Sequence, residues 1–405
     1  MSAASGAGAP ATTGGGGPEV TVRLAAELTP AELEQWRELE AATVSANPFL
    51  VPEWVLSWYD HFVPDPADRL VFLVREPSAG QLLGVAPLYR QELRVGPLRV
   101  ARRLAPVGAG QVTLYELPGY LAAPGRHREV ARAVVLATLD TGLDWNLVCT
   151  APDQSWFEPE HVMAGVTRQG QVDFWQELSS RACVVLRLQP TWEQTQAGLK
   201  RNLKESLRRS RNRLKKSGLS HAVHRRTGAE LDTTVVERLL DLHRDRSTND
   251  QAGVSHADYY ADEASRALLL QALPLLAVRE RASVYELELD GEVVAAQLAL
   301  HAPGSTYVHS SGFRPAVWSY GAVTHLVGAL VQDAVERGDT LVNFSPGPRV
   351  SKLRWSEECW VWHEFAYGVG SRGMLGRYLA LRAAAALRPS VSGVAWHRRG
   401  GGGHD

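Results

Sequence analysis

The sequence predicts an α/β fold of the α+β kind: two lobes in tandem, each a mixed, mostly antiparallel sheet flanked by helices. Three observations point there. A hairpin, a helix and a strand occur twice in the same order, roughly two hundred residues apart. At 405 residues the chain is too long for one small core. Its 45% hydrophobic and 21% charged residues, with a net charge of −1, describe a globular protein and not a dedicated DNA binder.

Residues 1–19, with "MSAASGAGAPATTGGGG", form a Gly/Ala tail that cannot bury enough surface to order itself and lacks the basic start and apolar core of a signal peptide. Next, "EVTVRLAAEL" reads as a strand and "TPAELEQWRELEAA" as a helix, with Thr29 as N-cap and Pro30 in the first turn, where its missing N–H costs nothing. "NPFLVPEWVLSWYDHF" is an apolar, aromatic helix. "DRLVFLVRE" and "LLGVAPLYRQEL" pair around a Ser-Ala-Gly turn, and "GRHREVARAVVLATLDTG" and "DWNLVCT" complete the lobe as helix and strand. The second half offers the helices "GAELDTTVVERLLDLHRDRS" and "DEASRALLLQAL". A three-strand meander follows, turning first at Asp290-Gly291, then a long amphipathic helix over 320–337 and the strand "TLVNFS". The lobes are expected over 20–185 and 186–375, with 376–405 a helix and a disordered tail. No apolar run is long enough to span a bilayer. Cys149, Cys183 and Cys359 are sparse and show no metal-ligand spacing, which reads as reduced thiols in a cytoplasmic protein.

"LKRNLKESLRRSRNRLKKSG" (199–218) concentrates positive charge against one acid, Glu205. Leu199, Leu203, Leu207 and Leu214 fall near one helical edge, and Gly218 is a natural stop. Lys200, Arg201, Lys204, Arg208, Arg211 and Lys215 then face outward or sideways, repelling one another unless an anion joins them. The phosphates of a nucleotide-type cofactor, an RNA, an acidic lipid surface or a phosphorylated substrate all qualify. A second anion seat is the start of the long helix, where Ser319 is placed to cap and Gly321 lets a ligand approach backbone N–H groups. "HAVH" (221–224) reads as a strand with no third ligand nearby, so no metal is expected.

These segments, with "LELDGEVVAAQLAL", "YVHSSGFRPAVWSYGAVTHLVGALVQDAVERG" and "VNFSPGPRVSKLRW", resemble in order the CelD-like branch of the GNAT acyltransferase superfamily, named for cellulose and exopolysaccharide loci and related to the FemABX aminoacyl transferases. The resemblance spans roughly residues 40–370 and implies two GNAT-like lobes, the C-terminal one binding acyl-CoA, foremost acetyl-CoA. It implies transfer of the acyl group to an amine of a small or sugar-linked acceptor, in polysaccharide or natural-product biosynthesis. A FemABX-type transfer from aminoacyl-tRNA and a non-catalytic scaffold that binds a partner or an anionic membrane remain alternatives. Position by position, Arg201 and Asn202 match the basic-helix pair, His243 and Arg244 the "LHR" segment, and Gly312 and Phe313 the meander's end. Gly321 matches the pyrophosphate-helix glycine, and Lys352 and Trp355 the "K-x-x-W" ending. Asn343 stands where the family commonly has Asp, and the usual Gln/Arg-x-x-Gly-x-Gly/Ala pattern is not intact.

Acyl transfer needs in-line reactants, a neutral amine and donors for the oxyanion. His309, on the strand beside the second anion seat, is the first candidate base, with Ser310 and Ser311 able to orient a substrate; His243 is the second. The resemblance gives Tyr320 the protonation of a leaving thiolate. Ser319, Tyr320, Gly321 and Ala322 are the expected cofactor contacts; Arg201, Asn202, Lys204, Arg208, Arg244, Lys352 and Trp355 the expected substrate contacts. Glu53, Trp54 and Trp58 could line a cleft between the lobes.

Overall fold

The computed structural model describes residues 17–44, 47–95, 98–109, 117–140, 147–150, 165, 174–249, 257–368 and 376; most of the expected N-terminal tail and nearly all of 376–405 lie outside them. The first helix, α1 (Pro30–Ala42), begins as its sequence dictates. The Thr29 hydroxyl accepts from the Glu32 N–H, and the Glu32 carboxylate accepts from the Thr29 N–H. Helix α2 (Pro52–Phe62) buries Trp54, Trp58 and Tyr59.

The described strands form one sheet. In chain order they are β1 (Glu19–Leu24), β2 (Arg69–Arg75), β3 (Leu82–Val95), β4 (Leu98–Pro106), β5 (Leu121–Ala122), β6 (Leu147–Thr150) and β7 (Phe174–Arg187). Then come β8 (His221–Arg226), β9 (Ala282–Leu289), β10 (Glu292–Ala302), β11 (Ser305–Phe313), β12 (Leu341–Pro346) and β13 (Cys359–Gly368). They lie in the order β1-β2-β3-β4-β6-β13-β7-β12-β11-β10-β9-β8, with β5 beside β3. One rule builds both ends. β1 to β4 pair antiparallel and β6 joins parallel; β8 to β11 pair antiparallel and β12 joins parallel. Helix α3 (His127–Asp140) precedes β6 as α8 (Ala322–Glu336) precedes β12, so the repeat read in the sequence is the repeat of the sheet.

The centre is an exchange. β7, which follows the first set, pairs with β12; β13, which follows the second, pairs with β6; and the two pair with each other. The expected boundary after residue 185 falls inside β7. The meander's turn is as its residues require, with Asp290 (φ 48) and Gly291 (φ 83) both left-handed.

Helices α4 (Trp192–Gly198), α5 (Arg201–Lys216), α6 (Thr233–Ser247), α7 (Glu263–Val278) and the short α9 (Val350–Leu353) complete the C-terminal half. α5 is the basic helix. It buries Leu203, Leu207, Ser210 and Leu214; Leu199, expected within the stripe, is buried just before the helix, its N–H bonded back to Gln196. A Cβ on Gly328 would come 2.8 Å from Leu207, and one on Gly321 would come 3.3 Å from Ser210. α5 therefore runs antiparallel to α8. On the other side, α6 lies directly on β11, because Gly312 offers no side chain to hold it away.

A polar clamp closes the end where β11 and β12 begin. The Tyr285 hydroxyl donates to Asp333 (2.5 Å), and Arg337 donates to Thr306 (2.7 Å) and Asp339 (2.8 Å). Thr306 donates to Asp339 (2.6 Å), and His301 reaches Thr306 (3.1 Å) and Ser283 (2.9 Å). Burial and the nearby arginines hold His301 neutral, well below its ordinary pKa.

A Cβ on Gly312 would sit 2.3 Å from the backbone of Leu242 and His243. Gly312→Ala is therefore expected to lower stability by about 1–3 kcal/mol, seen as an earlier urea midpoint at unchanged slope. An unmoved midpoint would contradict the close approach of α6.

Candidate functional site

Beyond the clamp the two strands part. β11 and β12 pair only at Ser305↔Leu341, Thr306↔Val342 and Tyr307↔Asn343; then β11 continues to Phe313 while the end of β12 registers with Cys183 of β7. Ser345 spans the base of the opening. Its hydroxyl donates to the Val308 carbonyl (2.6 Å), and its N–H donates to the Asn343 side-chain oxygen (2.8 Å). Ser345 holds φ 61, a strained value for a residue with a Cβ.

Two cations enter the opening. Lys352, on α9, donates from Nζ to the carbonyls of Ser345 (3.1 Å) and Pro346 (2.7 Å). Burial pushes its pKa down to about 8; Arg349 and Arg246 push the same way, and Cys183 opposes them. Arg246, near the end of α6, donates to the Ser311 carbonyl (3.1 Å) and hydroxyl (2.7 Å) and lies 5.9 Å from the centre of the Phe313 ring.

His309 stands on a bulge. Gln297 pairs with Ser311 but Ala299 pairs with Val308, so β11 carries one residue more than β10 between them. The Gln297 amide donates to the carbonyls of Leu298 (2.9 Å) and Ser310 (3.0 Å), holding the bulge in place. His309 Nδ1 lies 2.8 Å from Ser310 Oγ, which lies 2.5 Å from the Tyr260 hydroxyl. The His309 ring faces Phe49 (5.8 Å) and Trp54 (6.4 Å), so the N-terminal half supplies one wall. Trp58 instead packs on Phe62 and Tyr89. Glu53 accepts from Arg37 (2.9 Å) and pairs with Arg279 (3.6 Å).

His243 has a holding job. Nδ1 donates to the Ser311 carbonyl (3.0 Å), which leaves Nε2 to accept the Tyr259 N–H (3.4 Å). Burial lowers its pKa, keeping it neutral. Both ring nitrogens serve backbone, so the geometry takes it out of the running as a base.

The second anion seat differs from its expected form. Gly321 (φ 70) occupies the cap position of α8, after a 3₁₀ turn over Pro315–Tyr320, and no side chain caps the helix. Ser319 is not that cap; its carbonyl accepts from Arg213 (2.6 Å). Ala322 is buried, and Tyr320 is partly buried against the core beneath α5. Arg208 is exposed, and no ion pair joins it among the described residues. Arg211 is near enough to His325 to lower its pKa, after the larger effect of burial.

Because α5 and α8 are antiparallel, Arg201 lies nine residues from Ser210, about 14 Å along the helix from the Gly321 seat. Arg201, Asn202 and Lys204 therefore do not join that seat. Arg201 donates to Glu205 (3.1 Å), Asn202 accepts from Arg354 (3.3 Å) and Lys204 donates to Ala197 (3.0 Å). Arg244 pairs with Asp241 (3.1 Å) on the surface. Trp355 is a core residue, buried against Phe344 (5.4 Å). Sequence reasoning missed Arg246, Ser345, Tyr260 and Gln297. Arg246 lies in the quoted "LHRDRS", where nothing ranks it above Arg244. Among the described residues no group of three or more His, Cys, Asp or Glu could hold a metal ion, and no helix is long and apolar enough to cross a membrane.

Residues 201–352, from the start of the basic helix to Lys352, match the family model described as an acetyltransferase (GNAT) domain. The matched stretch takes in β8 to β12 of the sheet just described and the helices between them. No curated protein matches the chain. Among solved structures, FemX is similar at 10% identity and a TM-score of 0.59, covering 88% of this chain and 98% of that one. A tandem GNAT protein from the clavulanic acid biosynthesis pathway is 12% identical (TM-score 0.42; 87% and 100% covered). L-PGS from Bacillus licheniformis is 13% identical (TM-score 0.43; 85% and 99% covered). The first likeness bears on the fold alone, and the two lower-scoring ones add no argument.

Lys352 generates a stability prediction. Between about pH 8 and 10.5 the unfolded chain keeps this proton and the folded chain has lost it. Wild-type stability should therefore rise relative to Lys352→Met across that window, by at most about 3 kcal/mol, and stay level below it. Urea unfolding of both proteins checks this; parallel pH curves would contradict the lowered pKa of the half-buried Lys352.

Proposed function

We propose that the protein is an acyltransferase that moves an acyl group from an activated carrier to an amine in the opening between β11 and β12. The carrier is acyl-CoA, foremost acetyl-CoA, and the acceptor a small or sugar-linked amine. The observation that carries this reading is the parting of two parallel strands, with His309 on β11 beyond the last pair and Lys352 bonded to the Ser345 and Pro346 carbonyls at the end of β12. His309 accepts the proton as the amine nitrogen adds to the acyl carbon. The Lys352 ammonium donates to the oxyanion that develops, in a setting where burial magnifies its charge. The carbon–sulfur bond then breaks, and the thiolate leaves with the proton from His309. The N–H groups opening α8 behind Gly321, with Arg211 near His325 of the same helix, suit a diphosphate. The match of residues 201–352 to a GNAT domain supports acyl transfer as the class.

One feature favours a charged tRNA as carrier. Arg201, Lys204, Arg208, Arg211 and Lys215 recur every three or four residues along α5, a stripe of about 21 Å, longer than one diphosphate requires. The leaving group would then be a ribose hydroxyl, with the same two residues acting.

A panel of acyl-CoAs and amines, read by thiol release, tests the reading. His309→Gln and Lys352→Met should each lower kcat/KM about a hundredfold or more, whereas Arg244→Ala should leave it unchanged. If wild-type protein neither releases thiol nor binds acyl-CoA or tRNA at low salt, the reading fails.

A further inference from the structure

A buried hydroxyl pair stands behind His309. Tyr260 is 3% exposed and Ser310 4% exposed, and they come from different elements, the segment leading into α7 and the bulge of β11. Three contacts fix them. Gln297 holds the Ser310 carbonyl, the Tyr260 N–H donates to Asp258 (3.1 Å), and the Tyr260 ring meets His243 edge-on at 4.8 Å. Since His243 is itself bound to Ser311, the Tyr260 ring has little room to swing away.

We propose that Tyr260, acting through Ser310, is a positioning residue that holds His309 as its Nδ1–H tautomer. The inference rests on His309 being the base of the preceding subsection. Ser310 Oγ has two hydrogen-bond partners, His309 Nδ1 and the Tyr260 oxygen. A hydroxyl donates once. Accepting from Nδ1–H and donating to the Tyr260 oxygen, Ser310 uses both contacts and makes Nε2 the basic nitrogen that takes the amine proton. When that proton arrives, the imidazolium keeps its Nδ1–H bond unchanged, so no hydroxyl has to turn during the reaction. In the reverse arrangement Tyr260 donates to Ser310 and Ser310 to Nδ1; Nε2 then carries the hydrogen and cannot act as a base.

The tautomer can be read without any substrate. Protein labelled with 15N-histidine gives separate Nδ1 and Nε2 shifts, with the His309 signals assigned by their loss in His309→Gln. We expect wild-type His309 to be neutral at Nε2 and protonated at Nδ1 near pH 8. Tyr260→Phe and Ser310→Ala should each move the tautomer ratio about fivefold toward Nε2–H. The buried His301 signals should stay in place, showing that each variant is folded. An Nε2–H tautomer in wild type, or an unchanged ratio in both folded variants, overturns the proposal. Loss of transfer in His309→Gln is a separate readout: if transfer survives there, His309 is not the base, whatever its tautomer.

Discussion

The structure depends on where two parallel strands stop pairing. β11 and β12 are held together for three residue pairs and then diverge. A sheet would ordinarily continue its ladder, because unpaired backbone groups away from water are costly. Here side chains take over: the Ser345 hydroxyl serves the Val308 carbonyl, and Arg246 and His243 serve that of Ser311. The opening is therefore built in, with its carbonyls satisfied from outside the ladder.

Its two ends are opposites. The clamp of Tyr285, Asp333, Arg337, Thr306, Asp339 and His301 matches each buried charge with an opposite one or a hydroxyl. The open end gathers Lys352, Arg246 and Arg349, and the two arginines press on the Lys352 charge. Charges collected in this way are stabilised when an anion or a developing oxyanion meets them. The central exchange of β7 and β13 ties the two halves of the chain together, since parting β1–β7 from β8–β13 would break the β6–β13, β13–β7 and β7–β12 ladders.

Local patterns in the sequence were readable where the cause is local. The capping box at Thr29, the Asp290-Gly291 turn, the Leu stripe of α5 and the repeat of hairpin, helix and strand each follow from neighbouring residues. What failed involved partners far along the chain. Ser345 meets Val308 across 37 positions and Tyr260 meets Ser310 across 50, and no spacing announces such pairs. The basic helix was legible as a stripe, but its antiparallel seat on α8, which carries Arg201 away from Gly321, depends on both helices. Ser319 looked like a cap because the 3₁₀ turn that displaces the helix start has no signature of its own. Trp355 looked like a substrate contact because its spacing from Lys352 cannot reveal that it packs on Phe344.

The central claim is that chemistry takes place between the parted strands. A crystal structure with a non-hydrolysable acyl-CoA thioether, and in parallel with an aminoacyl-adenosine analogue, tests it most directly. The account predicts that one of them threads between β11 and β12 with its acyl carbonyl in hydrogen-bonding reach of Lys352 Nζ. A ligand seated elsewhere on the sheet, with the Ser345–Val308 bridge covered by protein alone, would contradict it.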